Sequence, residues 1–85
     1  MEIEELRTRI RKMRESGDIP CDPPEKTWAG PGRDRSCAAC GQVITEKETE
    51  FEVDLRSGVT LRLHRRCHNV WLQECEQDER RTEVC

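Results

Sequence analysis

The chain has 85 residues, of which 39% are charged, and a formal net charge of −3; Leu, Ile, Val and Phe together supply only 15 positions. This length allows one domain at most, and so few apolar residues make a poor core unless a cross-link supports it. The charge argues against a wholly basic nucleic-acid-binding surface, and no apolar stretch is long enough to span a bilayer.

Residues 1–17 predict an amphipathic helix. Ile3, Leu6, Ile10 and Met13 recur at helical spacing, and Gly17 stands where a C-terminal cap is expected. A helix of this length is marginal in water, so its apolar stripe needs a partner. We expect it to dock near Trp71, although self-association and a groove on another protein remain alternatives.

Residues 18–35 contain all four prolines of the chain and predict an irregular connector. Trp28 is the one aromatic residue in this stretch, and we expect it to seal the connector against the domain near Trp71, with a contact to a partner protein as the alternative. Cys21 is expected to be an exposed loop thiol.

Residues 36–80 predict a compact domain with a β-hairpin followed by a helix. The apolar residues of the hairpin alternate along two strands: Phe51, Val53, Leu55, Val59, Leu61 and Leu63. A three-residue loop at 56–58 places all six on one face and Glu52 opposite Arg62, whereas a two-residue loop would split them.

The second helix is predicted from about Arg65 to Arg80, with Val70, Trp71 and Cys75 on one stripe. Cys75 is expected to be a small buried hydrophobe in that stripe. Residues 81–85 lack periodicity and predict a frayed tail, in which Cys85 has no clear role.

The sequence C-x2-C-x23-H-x2-C, formed by Cys37, Cys40, His64 and Cys67, predicts a metal site. Two residues between cysteines allow both sulfurs to reach one ion, and the hairpin returns the chain to bring the second pair to the first. Three thiolates and one imidazole make a closed tetrahedral set typical of structural Zn²⁺. His68 is the ambiguous ligand, and we expect it to lie beside the site or on the surface.

The cysteines allow two other interpretations. A CxxC pair alone also suits thiol–disulfide exchange, which would make the chain a thiol redox protein using Cys37 and Cys40. Six cysteines also allow a disulfide framework. The N-terminus lacks the apolar core of a signal peptide, so we expect a cytoplasmic protein with reduced thiols, in which clustered cysteines bind metal.

The chain resembles a treble-clef zinc finger over about residues 36–78. The resemblance lies in the turn with Cys37 and Cys40 (a zinc knuckle), the hairpin, and the helix that carries Cys67. The ligand order is similar to the first zinc module of LIM domains and, more loosely, to the Cys-Cys-His-Cys fingers of poly(ADP-ribose) polymerases. The resemblance implies a small α+β zinc-binding domain with an added N-terminal helix. A LIM domain continues into a second zinc module, for which this chain keeps only Cys75 and Cys85, so the resemblance implies a fold and no particular function.

The expected function is that of a structural-zinc module that binds a protein partner as an adaptor or regulator, without enzymatic activity. One alternative is a nucleic-acid-binding finger that uses Arg56, Arg62, Arg65 and Arg66, helped by the basic residues between Arg7 and Arg14. The chain is expected to be a monomer, or a homodimer formed through the N-terminal helix, with no membrane contact.

Overall fold

The computed structural model describes the backbone of residues 2–84 and the side chains of residues 2–76. It is a small α+β fold, as predicted. The elements in chain order are α1 (Ile3–Ser16), β1 (Pro24–Pro31), β2 (Arg35–Ser36), β3 (Val43–Ile44), β4 (Thr49–Leu55), β5 (Thr60–His64) and α2 (Arg65–Val84). They form a three-stranded sheet in the order β1-β4-β5 and a small β2-β3 ribbon.

The β4–β5 hairpin has the predicted register. Phe51 pairs with Leu63 and Val53 with Leu61, and the Leu55 N–H donates to the Val59 carbonyl at 2.9 Å. Gly58 in the loop has φ 93°, a left-handed conformation that favours glycine. Val59, at the turn, is 43% exposed and does not join the buried row, which is a correction to the predicted six-residue face.

Strand β1 replaces much of the predicted irregular connector. Residues Pro24–Pro31 pair antiparallel with β4 along the outer edge of the sheet. Proline is tolerated at the ends and on the free side of an edge strand, and here it occupies the two terminal positions. The interior of the strand, including Thr27 and Trp28, is free of proline, so the composition of 18–35 as a whole misled the prediction.

Helix α1 docks on α2, as predicted. Leu6 and Ile10 are fully buried in the same core as Val70 and Trp71, whereas Ile3 is 38% exposed. Docking stabilises a helix that would be marginal alone, since each large apolar side chain that is buried contributes about 1.5–3 kcal/mol to the free energy of folding.

The chain just after α1, not Trp28, covers Trp71. Gly17 caps α1 with φ 84°, Ile19 is 1% exposed, and the Trp71 indole Nε1–H donates to the Pro20 carbonyl at 2.8 Å. Trp28 is 58% exposed on β1, so its predicted sealing role is wrong. It lies opposite Glu52, on the face of the sheet away from the buried Val53 side chain.

Charged groups cross the α1–α2 contact. Glu74 is 1% exposed, and its carboxylate accepts from Arg11 at 2.7 Å and lies 4.0 Å from Arg7. Arg14 donates to the backbone carbonyl of Glu74. The basic run of α1 is therefore largely engaged within the molecule.

Cys21 and Cys75 form a disulfide, with Cα atoms 5.4 Å apart across a sequence separation of 54. Both earlier expectations, a loose Cys21 thiol and a buried Cys75 thiol, are wrong. The docked segment after α1 passes beside the Trp71 stripe and brings the two sulfurs together, a contact that sequence spacing does not reveal.

Helix α2 continues to Val84, beyond the predicted end at Arg80, so the expected tail of 81–85 is helical through residue 84. Cys85 lies outside the described residues. Within residues 2–84, neither helix has the length and apolar character needed to cross a membrane.

Candidate metal centre

The structure brings all four predicted ligands together. Cys37 and Cys40 lie between β2 and β3, His64 ends β5, and Cys67 lies in the first turn of α2. Their potential ligand atoms all lie within 4.8 Å of one another, an arrangement that could hold a metal ion.

A tight turn presents the two N-terminal sulfurs. The Gly41 N–H donates to the Cys37 carbonyl at 3.0 Å, and the Cys37 N–H donates to the Gln42 carbonyl at 2.8 Å. Gly41 has φ 77°, which explains the glycine directly after the second cysteine. The Ala38 N–H also donates to the Arg62 carbonyl at 2.8 Å, so the turn is fastened to β5 close to His64.

His64 is held on both sides of its ring. Nδ1 lies 3.4 Å from the Cys40 sulfur, and Nε2 lies 3.5 Å from a carboxylate oxygen of Glu48. In this arrangement Nδ1 would be the ring nitrogen available to a metal ion, and Nε2 faces the carboxylate, a pairing that orients metal-binding histidines and raises their basicity.

Glu48 was not identified from the sequence as part of this site. Its other carboxylate oxygen accepts from the Thr45 N–H at 3.0 Å and from the Thr45 hydroxyl at 3.2 Å. The hydrogen bond from the Thr45 backbone N–H is the main reason that the Glu48 pKa is lowered, and the neighbouring His64 ring adds to the effect. The acidic run of residues 46–54 is the available signal in the sequence, but such a run is also typical of a solvated strand face.

The packing of Gly32 fixes the loop that carries Glu48. The Gly32 N–H donates to the Glu48 carbonyl at 2.9 Å. A Cβ at Gly32 would lie 2.1 Å from the Thr45 carbonyl oxygen, so only glycine allows this close backbone approach.

The buried sulfurs favour a bound cation. Cys37 and Cys67 are 2% and 3% exposed. A hydrogen bond from the Cys67 thiol lowers the Cys37 pKa, and the same hydrogen bond, with burial, raises the Cys67 pKa. Without a cation the thiols therefore share protons, because adjacent buried thiolates repel one another. A divalent metal removes that repulsion and can hold all three as thiolates.

Helix α1 also supports the metal centre. The Arg9 Nε–H donates to the carbonyl of Ala39, between the two cysteines of the turn, at 2.6 Å. Ala39 itself is fully buried. The sequence predicted that α1 docks on the domain but did not identify this contact.

His68 is a core residue, which corrects the expectation that it lies beside the site or on the surface. It is 8% exposed, and its ring stacks on Phe51 with centroids 4.5 Å apart. Burial lowers the His68 pKa, so the neutral ring is favoured. Its place inside the sheet–helix contact separates it from the four clustered ligands.

The four arginines proposed to contact nucleic acid do not form one free surface. Arg62 is partly buried and lies 3.4 Å from Glu52, on the wet face of the hairpin. Arg56, Arg65 and Arg66 are exposed, and the last two line a cavity of about 360 Å³ beside the metal ligands.

Comparison with known proteins identifies no family for this chain. No family model, curated protein or solved structure matches it.

Proposed function

We propose that this chain is a small structural-zinc module that acts through protein contacts, as an adaptor or regulator. The observation that carries the proposal is the convergence of Cys37, Cys40, His64 and Cys67 within 4.8 Å. Cys37 and Cys40 lie between β2 and β3, His64 ends β5, and Cys67 lies in the first turn of α2. An ion bound here would therefore join β2, β3, β5 and α2.

Zinc suits this donor set best. Soft thiolates with one imidazole favour Zn²⁺, which takes four such ligands in tetrahedral geometry. Four protein ligands leave no position for water or substrate, and this supports a structural role without enzymatic activity. The thiol redox alternative is weaker because thiolates committed to a metal are poor exchange partners.

The arrangement of elements supports assignment to the treble-clef group. The β2–β3 ribbon carries the first ligand pair, the β4–β5 hairpin follows, and α2 begins directly after His64. These are the parts, in the order, that the resemblance implied.

A protein partner fits the surface better than nucleic acid. The net charge is −3, and the basic side chains of Arg9 and Arg11 on α1 bind the Ala39 carbonyl and Glu74 instead of projecting as a free patch. A steep fall in nucleic-acid affinity with salt would favour the alternative. Burial of Leu6 and Ile10 against α2 favours a monomer over a dimer formed through α1.

A cytoplasmic location remains part of the proposal. Three clustered free thiols support a reducing compartment, whereas the Cys21–Cys75 bond supports an oxidising one, since disulfides are rare in the cytosol. Alkylation of thiols in fresh cell extract would distinguish the two.

Metal analysis and chelation test the proposal. The purified chain should hold one zinc per molecule, and a strong chelator at neutral pH should collapse its dispersed amide spectrum. Zinc binding in finger peptides is worth about 10–16 kcal/mol, more than this core could replace.

Two variants give this experiment its control. Cys40→Ser should lose zinc, and Cys21→Ser, which lies outside the cluster, should keep it. A chain that retains its dispersed spectrum after the metal has been stripped would refute the structural role.

A further inference from the structure

The outer face of the sheet carries a buried carboxylate. Glu50 lies opposite Gly30 of β1 and His64 of β5. It is only 5% exposed, and its Oε1 has no hydrogen-bond partner among the described residues. A buried polar atom without a hydrogen-bond partner is costly, so such a group marks a place where a ligand supplies what the chain does not.

A cavity of about 270 Å³ lies at this carboxylate. Its lining comprises Trp28, Ala29, Gly30, Pro31, Arg33, Glu50 and Glu52. Gly30 leaves the space open, since a Cβ there would meet nothing within 4 Å. Trp28 is one row further along β1, opposite Glu52, so its exposed indole stands on the same face as the two carboxylates.

We propose that this cavity, which we call the Trp28–Glu50 pocket, binds the guanidinium or alkylammonium group of a basic side chain on a partner protein. A carboxylate gives such a cation a charge-assisted hydrogen bond, and the face of an indole attracts it through its π electrons. The inference rests on the proposed function, because it takes the partner to be a protein. It adds that the group bound on that partner is a basic side chain.

The molecule's own arginines do not fill this role. Arg62 lies 3.4 Å from Glu52, and its buried Nε has no hydrogen-bond partner among the described residues, so it does not supply the hydrogen bond that Glu50 lacks. Arg33 is exposed at the cavity, and in the described part of the chain it forms no ion pair with Glu50. The carboxylates also make the pocket unsuitable for a phosphate backbone.

Titration with N-acetyl-arginine amide tests the pocket on the zinc-loaded full-length chain. The Trp28 indole N–H and the Gly30 and Glu50 amide signals should shift saturably. Glu50→Gln preserves the shape of the side chain and removes its charge, so it should weaken binding at least tenfold. Glu25→Gln, on the same strand but outside the cavity lining, should leave binding unchanged.

Three outcomes would overturn the inference, two of them in the wild type and the Glu50→Gln variant. One is the absence of saturable shifts, and the other is equal binding by Glu50→Gln. Binding seen only in Arg33→Gln would also overturn it, because Arg33 would then be the natural occupant. Zinc content is measured in each sample. A folded, zinc-loaded chain that does not bind the probe contradicts the pocket alone. A folded chain without zinc that binds the probe contradicts the zinc module alone.

Discussion

His64 and His68 are one helical turn apart in sequence, yet they lie in different surroundings. His64 ends β5 with one ring nitrogen toward the Cys40 sulfur and the other toward Glu48. His68 is enclosed by Phe51 and Trp71, at centroid distances of 4.5 and 6.1 Å. The spacing to Cys67 was enough to select His64 for the candidate cluster, but the enclosure of His68 depends on the sheet–helix packing, which periodicity did not reveal.

We therefore expect the two histidine-to-alanine variants to differ in kind. His64→Ala should lose zinc together with the folded spectrum. His68→Ala should keep one zinc but lower the free energy of unfolding by about 1–3 kcal/mol, because it removes a packed core side chain. Metal analysis and chemical denaturation of both variants measure this, and zinc loss in His68→Ala alone would overturn the ligand assignment.

At the scale of elements, regular patterns were predictable and contacts between segments were not. Alternation of Val53 and Leu55 with Leu61 and Leu63 determined the hairpin register, since only one loop length buries both rows. The sequence did not predict strand β1. As an edge strand it forms its hydrogen bonds with β4, so it needs little alternation of apolar residues of its own. The contact of Arg9 with the Ala39 carbonyl likewise depends on how α1 docks.

That contact predicts that α1 affects metal binding. Arg9→Met keeps much of the side chain's length but loses the hydrogen bond to Ala39, so the turn between Cys37 and Cys40 becomes less well held. Zinc affinity, measured by competition with a chelator, should fall about tenfold, the lower end of the range for residues that support metal ligands.

Lys12→Met is the matched control, because Lys12 is an exposed basic residue on the same helix. It should leave zinc affinity unchanged. Equal affinities for the wild type and Arg9→Met would show that α1 stabilises the fold without supporting the site.

At the scale of the whole molecule, the candidate metal site lies within the loop of chain that the disulfide closes. The Cys21–Cys75 disulfide encloses all four candidate zinc ligands along the chain. A metal ion bound by the four candidate ligands would join the ribbon, the hairpin and the start of α2, whereas the disulfide joins the segment after α1 to a later turn of α2. Composition predicted that this small core needs a cross-link, but it could not show that a disulfide accompanies the candidate metal site, since the pairing of Cys21 with Cys75 depends on the docking of α1.

The two cross-links should therefore be separable in experiment. Replacing Cys21 and Cys75 together by serine avoids leaving a free thiol, and it should lower the free energy of unfolding by about 4 kcal/mol, the chain-entropy value for a loop of this length. Zinc content should stay at one per chain, because neither residue is a ligand. Under reducing conditions the variant and the wild type should unfold at nearly the same denaturant concentration. Equal stability under oxidising conditions as well would mean that the disulfide does not hold the segment after α1 on α2, and that burial of Ile19 and the Trp71–Pro20 hydrogen bond suffice.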